Sequence, residues 1–157
     1  MVMHEGLCHL CLLTTSMTVT RSRIERRMPK KKQGDKLYSK ARAKFFDDIY
    51  EAIKTHINFA LVKAILVGSP GFLKDDFMTF LLEAAERRGD VEFLRNKSKF
   101  IRTHASSGHK KSIEEMLGDP AVRGQLGDVK AADEVRALEQ FYQVFAITAI
   151  DWVTSIE

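Results

Sequence analysis

Two cysteines stand three apart in "CHLC", Cys8 to Cys11, the spacing of a redox pair or of half a zinc site. No second CxxC follows. If residues 7 to 13 form a strand, the two thiols point to opposite faces and read as small hydrophobes buried in a sheet. His104 and His109 flank Ser106 and Ser107 in "THASSGHKKS", which is the raw material for a base and a nucleophile. There is no GxSxG elbow and no third group to orient the base, so a loop histidine bonded to backbone is the plainer reading. Asp75, Asp76, Glu83 and Glu86 lie on one charged helix, with Asp76 and Glu83 two turns apart, a common solvated arrangement rather than a metal cluster. "GSPG" after a strand is a favoured ligand position, yet Gly68 and Gly71 do not complete a GxGxxG. A Walker loop would need Gly in place of Thr103 and Lys in place of His109. No constellation supports an enzyme, and no catalytic residue, metal ligand or cofactor site is assigned.

The basic segment survives this filter. From Arg21 to Lys44 there are eleven bases and two acids, a net +9, which leaves −5 on the rest of a chain whose total is +4. A mildly acidic body with one cationic segment attracts polyanions; the alternative is a solvated loop kept soluble by charge. Lys30, Lys31 and Lys32 follow Pro29 directly, with Arg27 just before. Ammonium groups there can each meet a phosphate without reading bases, so binding would be independent of sequence and sensitive to salt. No aromatic lies between Arg21 and Lys36, so base stacking is not the mode, and phosphate contact to a structured RNA fits.

The elements that must hold these residues follow from periodicity. "GLCHLCLLT" reads as a strand buried on both faces, and "MTVTRSRIER" as the second arm of a hairpin that Pro29 ends. Lys30 to Lys40 reads as an exposed loop. From about Ala41 a helix is expected, with Phe45, Ile49, Ile53 and Ile57 stepping by four. "LVKAILVG" reads as a central strand. Ser69 and Pro70 then suit the start of a helix carrying Leu73, Phe77, Leu81 and Ala84, closed by Gly89. "KFIRTHA" is another strand, and Ser112 with Glu115 spells a capping box for a short helix through Leu117. Gly118, Pro120, Gly124 and Gly127 break the next stretch, and a last helix starts near Lys130 with Val135, Leu138, Tyr142 and Phe145 inward. The fold class is α/β: a three-layer-like mixed β-sheet flanked by helices and opened by a β-hairpin. A chain of 157 residues suits one such domain.

The apolar runs are far shorter than the roughly 20 residues of a membrane span. "MVMHEGLCHLCLL" carries Glu5 and no base before its apolar stretch, unlike a signal peptide, so a cytoplasmic protein is expected.

"LVKAILVGSPGFLKDDF", "LRNKSKFIRTHASSGHKKSIEEML" and "DVKAADEVRALEQFY" resemble the central domain of the pelota family, in order and spacing, and "CLLTTSMTVTRSRIERRMPKKKQG" resembles its opening hairpin and basic loop. The resemblance covers residues 4–144; residues 145–157, "FAITAIDWVTSIE", do not resemble the family's continuation, and its N- and C-terminal domains have no counterpart in this sequence. Pelota proteins are relatives of class-1 translation release factors. The resemblance implies a part in rescue of stalled ribosomes (no-go and non-stop decay), with the ribosome and a translational GTPase as partners. The Gly-Gly-Gln tip of release factors is missing, the nearest string being "RGQ" at Arg123 to Gln125, so peptidyl-tRNA hydrolysis is not implied. By resemblance the basic loop takes the place of that tip, giving Arg27, Lys30, Lys31 and Lys32 as RNA- or ribosome-binding residues. Pro70, Gly71 and Phe72 match a stretch associated with the GTPase side; the alternative for these three is a helix start with one anchoring aromatic. The resemblance also implies a divalent cation, with no ligands that can be named. The rival readings are a metal-dependent endoribonuclease using the acidic helix or His104 and His109, and a non-functional truncated fragment.

Overall fold

The computed structural model describes residues 1–14, 17–29 and 35–128. Five strands form one mixed sheet: β1 (Val2–His4), β2 (Leu7–Leu13), β3 (Thr18–Glu25), β4 (Ile65–Ser69) and β5 (Phe100–His104), in the order β3-β2-β1-β4-β5. The first three are antiparallel neighbours, while β1–β4 and β4–β5 are parallel. The helices are α1 (Asp35–His56), α2 (Leu73–Arg88), α3 (Val91–Arg95) and α4 (Ser112–Gly118), and residues 120–128 are also helical.

Alternation along the strands divides the interior in two. Met3, Cys8, Leu10, Ile65 and Val67 point to one face, where Phe45, Ile49, Tyr50 and Ile53 of α1, Phe77 and Leu81 of α2 and Phe93 of α3 pack on them. Val2 and Leu66 point to the other face, under Ile113 and Met116 of α4 and Val122. Layers of helix, sheet and helix follow, as the apolar periods demanded. Cys8 and Cys11 do fall on opposite faces, Cys8 fully buried and Cys11 half-buried against the second layer. Burial pushes the Cys8 thiol up to about 12, which keeps it an inert hydrophobe.

Several local expectations need correction. Strand β1 is too short to carry a readable pattern, yet it lies at the centre of the sheet. The stretch from Asp35 to Lys40, expected to be loop, is the first part of α1. Ser69 is not the N-cap of α2, a position Phe72 holds, although its hydroxyl accepts from the Lys74 N–H at 2.9 Å; Pro70 likewise precedes the helix, which begins at Leu73. The Ser112/Glu115 capping box does not form. Ser112 is buried and pairs with the Ser107 hydroxyl at 2.7 Å, and Glu115 turns back to Ser106. Pro120 does not break the chain; it opens the helical stretch 120–128, with Asp119 Oδ1 accepting from Ala121 N–H at 2.9 Å. An Asp cap followed by Pro in the first turn is a start signal, and there the missing proline N–H costs nothing. The last helix expected near Lys130 lies outside the described residues.

One glycine closes a helix and another permits a close approach. Gly89, expected to end α2, takes φ 67° and does so, with Asp90 N–H bonding Ala85 O at 2.9 Å. At Gly68 a Cβ would fall 2.4 Å from Met116 Sδ, so glycine lets α4 lie close on β4.

Candidate RNA and partner surfaces

The turn between β4 and α2 presents Pro70, Gly71 and Phe72. Gly71 sits at φ 56°, a conformation that other residues seldom adopt, and the carbonyl of Phe72 takes the N–H groups of Asp75 and Asp76 at 2.9 and 3.0 Å. The turn is therefore fixed while its aromatic points away from the core: Phe72 is 82% exposed. An anchoring role for that ring is not what this geometry allows. Phe72 stands at the rim of an open groove of about 570 Å³, whose other wall is Tyr38, Arg42 and Asp76. Arg42 pairs with Asp76 at 2.8 Å, and the Tyr38 phenol donates to Glu5 at 2.5 Å. Burial, and then the Glu5 carboxylate, push that phenol up to about 12, so it stays a donor.

On the sheet's second face the loop 105–111 is clamped at Gly108. Its N–H donates to His4 Nδ1 and its carbonyl accepts from His9 Nδ1–H, both at 2.8 Å. His109 lies over the pair, with ring centroids 5.4 Å from His4 and 6.5 Å from His9. A Cβ on Gly108 would come within 2.5 Å of His4 Nδ1 and 2.6 Å of its backbone nitrogen. Sequence reasoning named His104 and His109 around the serines. The structure joins His109 to His4 and His9 instead, and sends Ser106 to Glu115, whose carboxylate takes both its hydroxyl (2.6 Å) and its N–H (3.2 Å). Those two bonds hold the Glu115 carboxyl below the usual range. His4 gave no signal because the short β1 that carries it has no readable pattern, and His9, on a strand that could be read, gave none because its partner lies 99 residues away.

The basic segment is partly described. Arg26 is tied to α1, both Nε and Nη2 reaching Asp48, at 2.8 and 2.5 Å. Arg27, beside it, is exposed and makes no ion pair among the described residues. Lys30, Lys31 and Lys32 lie outside the described residues. The acidic helix is engaged in pairs: Asp75 with Arg102 at 2.9 Å and Asp76 with Arg42. A divalent cation, as the resemblance implies, would need converging ligands; among the described residues no three His, Cys, Asp or Glu side chains are so placed. No helix among them is long and apolar enough to cross a membrane. "RGQ" lies in the helical stretch 120–128, where Arg123 Nε donates to Leu117 O, and not at an exposed tip.

The mixed sheet, its opening hairpin and its two helical layers are those of a release-factor central domain, and the family model for eRF1 domain 2 matches residues 1–128. The chain belongs to that family. Within it the likeness is to pelota. The pelota homolog of Rattus norvegicus is 46% identical over 144 residues, 91% of this chain and 37% of that protein, and pelota of Drosophila melanogaster is 47% identical over 144 residues, 91% of this chain and 36% of that protein. The structure of S. cerevisiae Dom34 superposes with a TM-score of 0.70 at 32% identity, over 89% of this chain and 37% of that one. Dom34 is described as a translation termination-like factor involved in RNA quality control pathways and interacting with Hbs1. The chain thus spans little more than a third of the length of the relatives it matches.

Proposed function

We propose that residues 4–144 act as the central domain of a pelota-like ribosome-rescue factor, cytoplasmic and non-catalytic, with residues 145–157 a divergent tail. In this reading the domain engages the stalled ribosome through phosphate contacts of Arg27, Lys30, Lys31 and Lys32. It meets a translational GTPase through Pro70, Gly71 and Phe72. It does not hydrolyse peptidyl-tRNA. The observation that carries the reading is the likeness to pelota and Dom34 along nine-tenths of the chain. The partner assignment is supported by Phe72, an aromatic held out in solvent on a fixed turn, because such residues dominate interface energetics when a partner covers them.

The test is co-sedimentation of the chain with vacant ribosomes, with and without the GTPase. Lys30→Ala/Lys31→Ala/Lys32→Ala should weaken ribosome binding and lower the salt slope by roughly 0.7–0.9 for each phosphate no longer neutralised. Phe72→Ala should leave that binding intact and abolish the extra retention given by the GTPase. Chelator-sensitive RNA cleavage that survives repurification would overturn the reading in favour of a nuclease.

A further inference from the structure

The edge strand β3 and the clamped loop 105–111 are joined on the sheet's second face, and each carries exposed bases. Register places the first part. Arg23 faces His9 across the β2–β3 ladder, so the two share the sheet's second face, and His9 bonds the loop at Gly108. The loop also reaches back to the strand: Lys110 Nζ donates to the carbonyl of Thr18, 3.4 Å away. Between them the ladder slips. Leu10 pairs with Ser22 and Cys11 with Thr20, which leaves Arg21 as the extra residue of a β-bulge. A bulge on an edge strand re-aims the side chain it carries. Arg21, Arg23, Lys110 and Lys111 are all exposed.

We propose that this surface is a second RNA-backbone contact, separate from Lys30, Lys31 and Lys32, and that it binds phosphates without reading bases; it rests on the RNA-binding reading given above. The charge is right for a polyanion, and no Phe, Tyr or Trp side chain stands among these residues to stack a base. Two of the acids nearby, Glu25 and Glu115, are already engaged, and Glu114 beside Lys111 offsets part of the charge. Glu25 pairs with Arg23 at 2.9 Å, with side chains 66% and 60% exposed, a pair weak enough for a phosphate to displace. Glu115 is held by Ser106, and Glu114 is exposed in the first turn of α4. The loop is held at three points, Gly108 between two histidines, Ser106 on Glu115 and Ser107 on Ser112, so its lysines start from a fixed backbone. Less ordering is then needed on binding.

Charged residues on an edge strand also guard against sheet-to-sheet pairing. Charge reversal separates the two roles, because Arg21→Glu/Arg23→Glu keeps the guard and repels phosphate. The experiment titrates a fluorescein-labelled RNA hairpin with the full chain from about 50 to about 200 mM salt. Arg21→Ala/Arg23→Ala/Lys110→Ala/Lys111→Ala should lose about tenfold in affinity and lower the salt slope by roughly 0.7–0.9 for each phosphate left without its base, with an unchanged melting temperature. Arg21→Glu/Arg23→Glu should lose more affinity than Arg21→Ala/Arg23→Ala, and Arg21→Lys/Arg23→Lys should retain most of it. If the fourfold alanine variant binds the hairpin with wild-type affinity and slope while the Lys30–Lys32 triple variant does not, this proposal falls and the rescue reading stands. Loss of polyglutamate binding with RNA binding unchanged would mark an acidic protein as the partner and overturn it too. A wild-type chain that ignores the hairpin overturns both.

Discussion

The two faces of the sheet are built for different ends. On the first, α1, α2 and α3 lay a continuous aromatic layer: Phe46 meets Phe77 edge-on at 5.4 Å, Tyr50 stacks on Phe93 at 4.5 Å, and Phe59 meets Phe93 at 5.1 Å. Its polar rim is tied down as well, with Asp90 taking the Tyr50 hydroxyl and Lys54. On the second, six buried residues from Val2 to Val122 make a small aliphatic core, and the rest of the face carries histidines, a serine chain and exposed bases. Stability is concentrated on one side of the sheet, which leaves the other side free to hold polar groups in fixed positions. Breaking the first face should therefore unfold the domain, whereas breaking the second should move a surface.

The largest effect belongs to Phe77→Ala. The side chain is fully buried between α1 and the sheet, and truncation of a core Phe costs about 3–5 kcal/mol in lost transfer energy and residual cavity. That is a large share of the roughly 5–15 kcal/mol available to an ordinary domain. Urea denaturation should show a much lower midpoint at unchanged slope. A loss below about 1 kcal/mol would mean that the aromatic layer relaxes around the hole, and the contrast between the faces would fail.

Gly108→Ala probes the second face. The new methyl meets backbone as well as the His4 ring, so the loop must move, and both histidine bonds go with it. Each is worth about 0.5–1.5 kcal/mol, for a total near 1–3 kcal/mol. The expected result is a modest fall in stability, with new proteolytic sensitivity at residues 105–111 and intact protection of α1 and α2. Gly124→Ala is the counter-case: nothing lies within 4 Å of its Cβ position and the segment is helical, so the change should stabilise by roughly 0.5–1 kcal/mol. Cooperative unfolding by Gly108→Ala would show instead that the clamp is part of the core.

What could be read beforehand follows the same division. The first face announces itself through long periods: Phe45, Ile49 and Ile53, then Phe77, Leu81 and Ala84, recur at helical spacing because one broad apolar stripe must meet one sheet. The strands within "LVKAILVG" and "KFIRTHA" are equally plain. The second face was nearly silent. Its central strand β1 is three residues long, its α4 is seven, and its joining contacts link His4 and His9 to a loop about a hundred residues away. No local pattern encodes such a contact. "SSGHK" stood out as unusual without disclosing that two distant histidines hold its glycine. Pro120 misled because its meaning depends on Asp119 before it. The exposure of Phe72 could not be read either, since an aromatic just before a helix fits a core anchor as well as a surface.

The smallest expected effect sharpens the comparison most, because it distinguishes a clamp from mere proximity. His4 accepts the Gly108 N–H at Nδ1, so its proton sits on Nε2 and the ring must be neutral. Burial, and then the neighbouring His109 and His9, lower its pKa from the ordinary 6.5, while Glu5 opposes them. The native state thus binds this proton less readily than the unfolded chain. The contribution is complete above about pH 6.5 and is lost as pH falls from there toward the lowered native value. Wild-type stability should therefore fall between about pH 7.5 and about pH 5.5 more than that of His4→Asn, whose amide oxygen can still accept from Gly108 but cannot titrate. Urea midpoints at the two pH values give the difference directly. Parallel losses in both proteins would mean that His4 merely lies near the loop, and that His9 with the serine and glutamate contacts at residues 106–115 holds it.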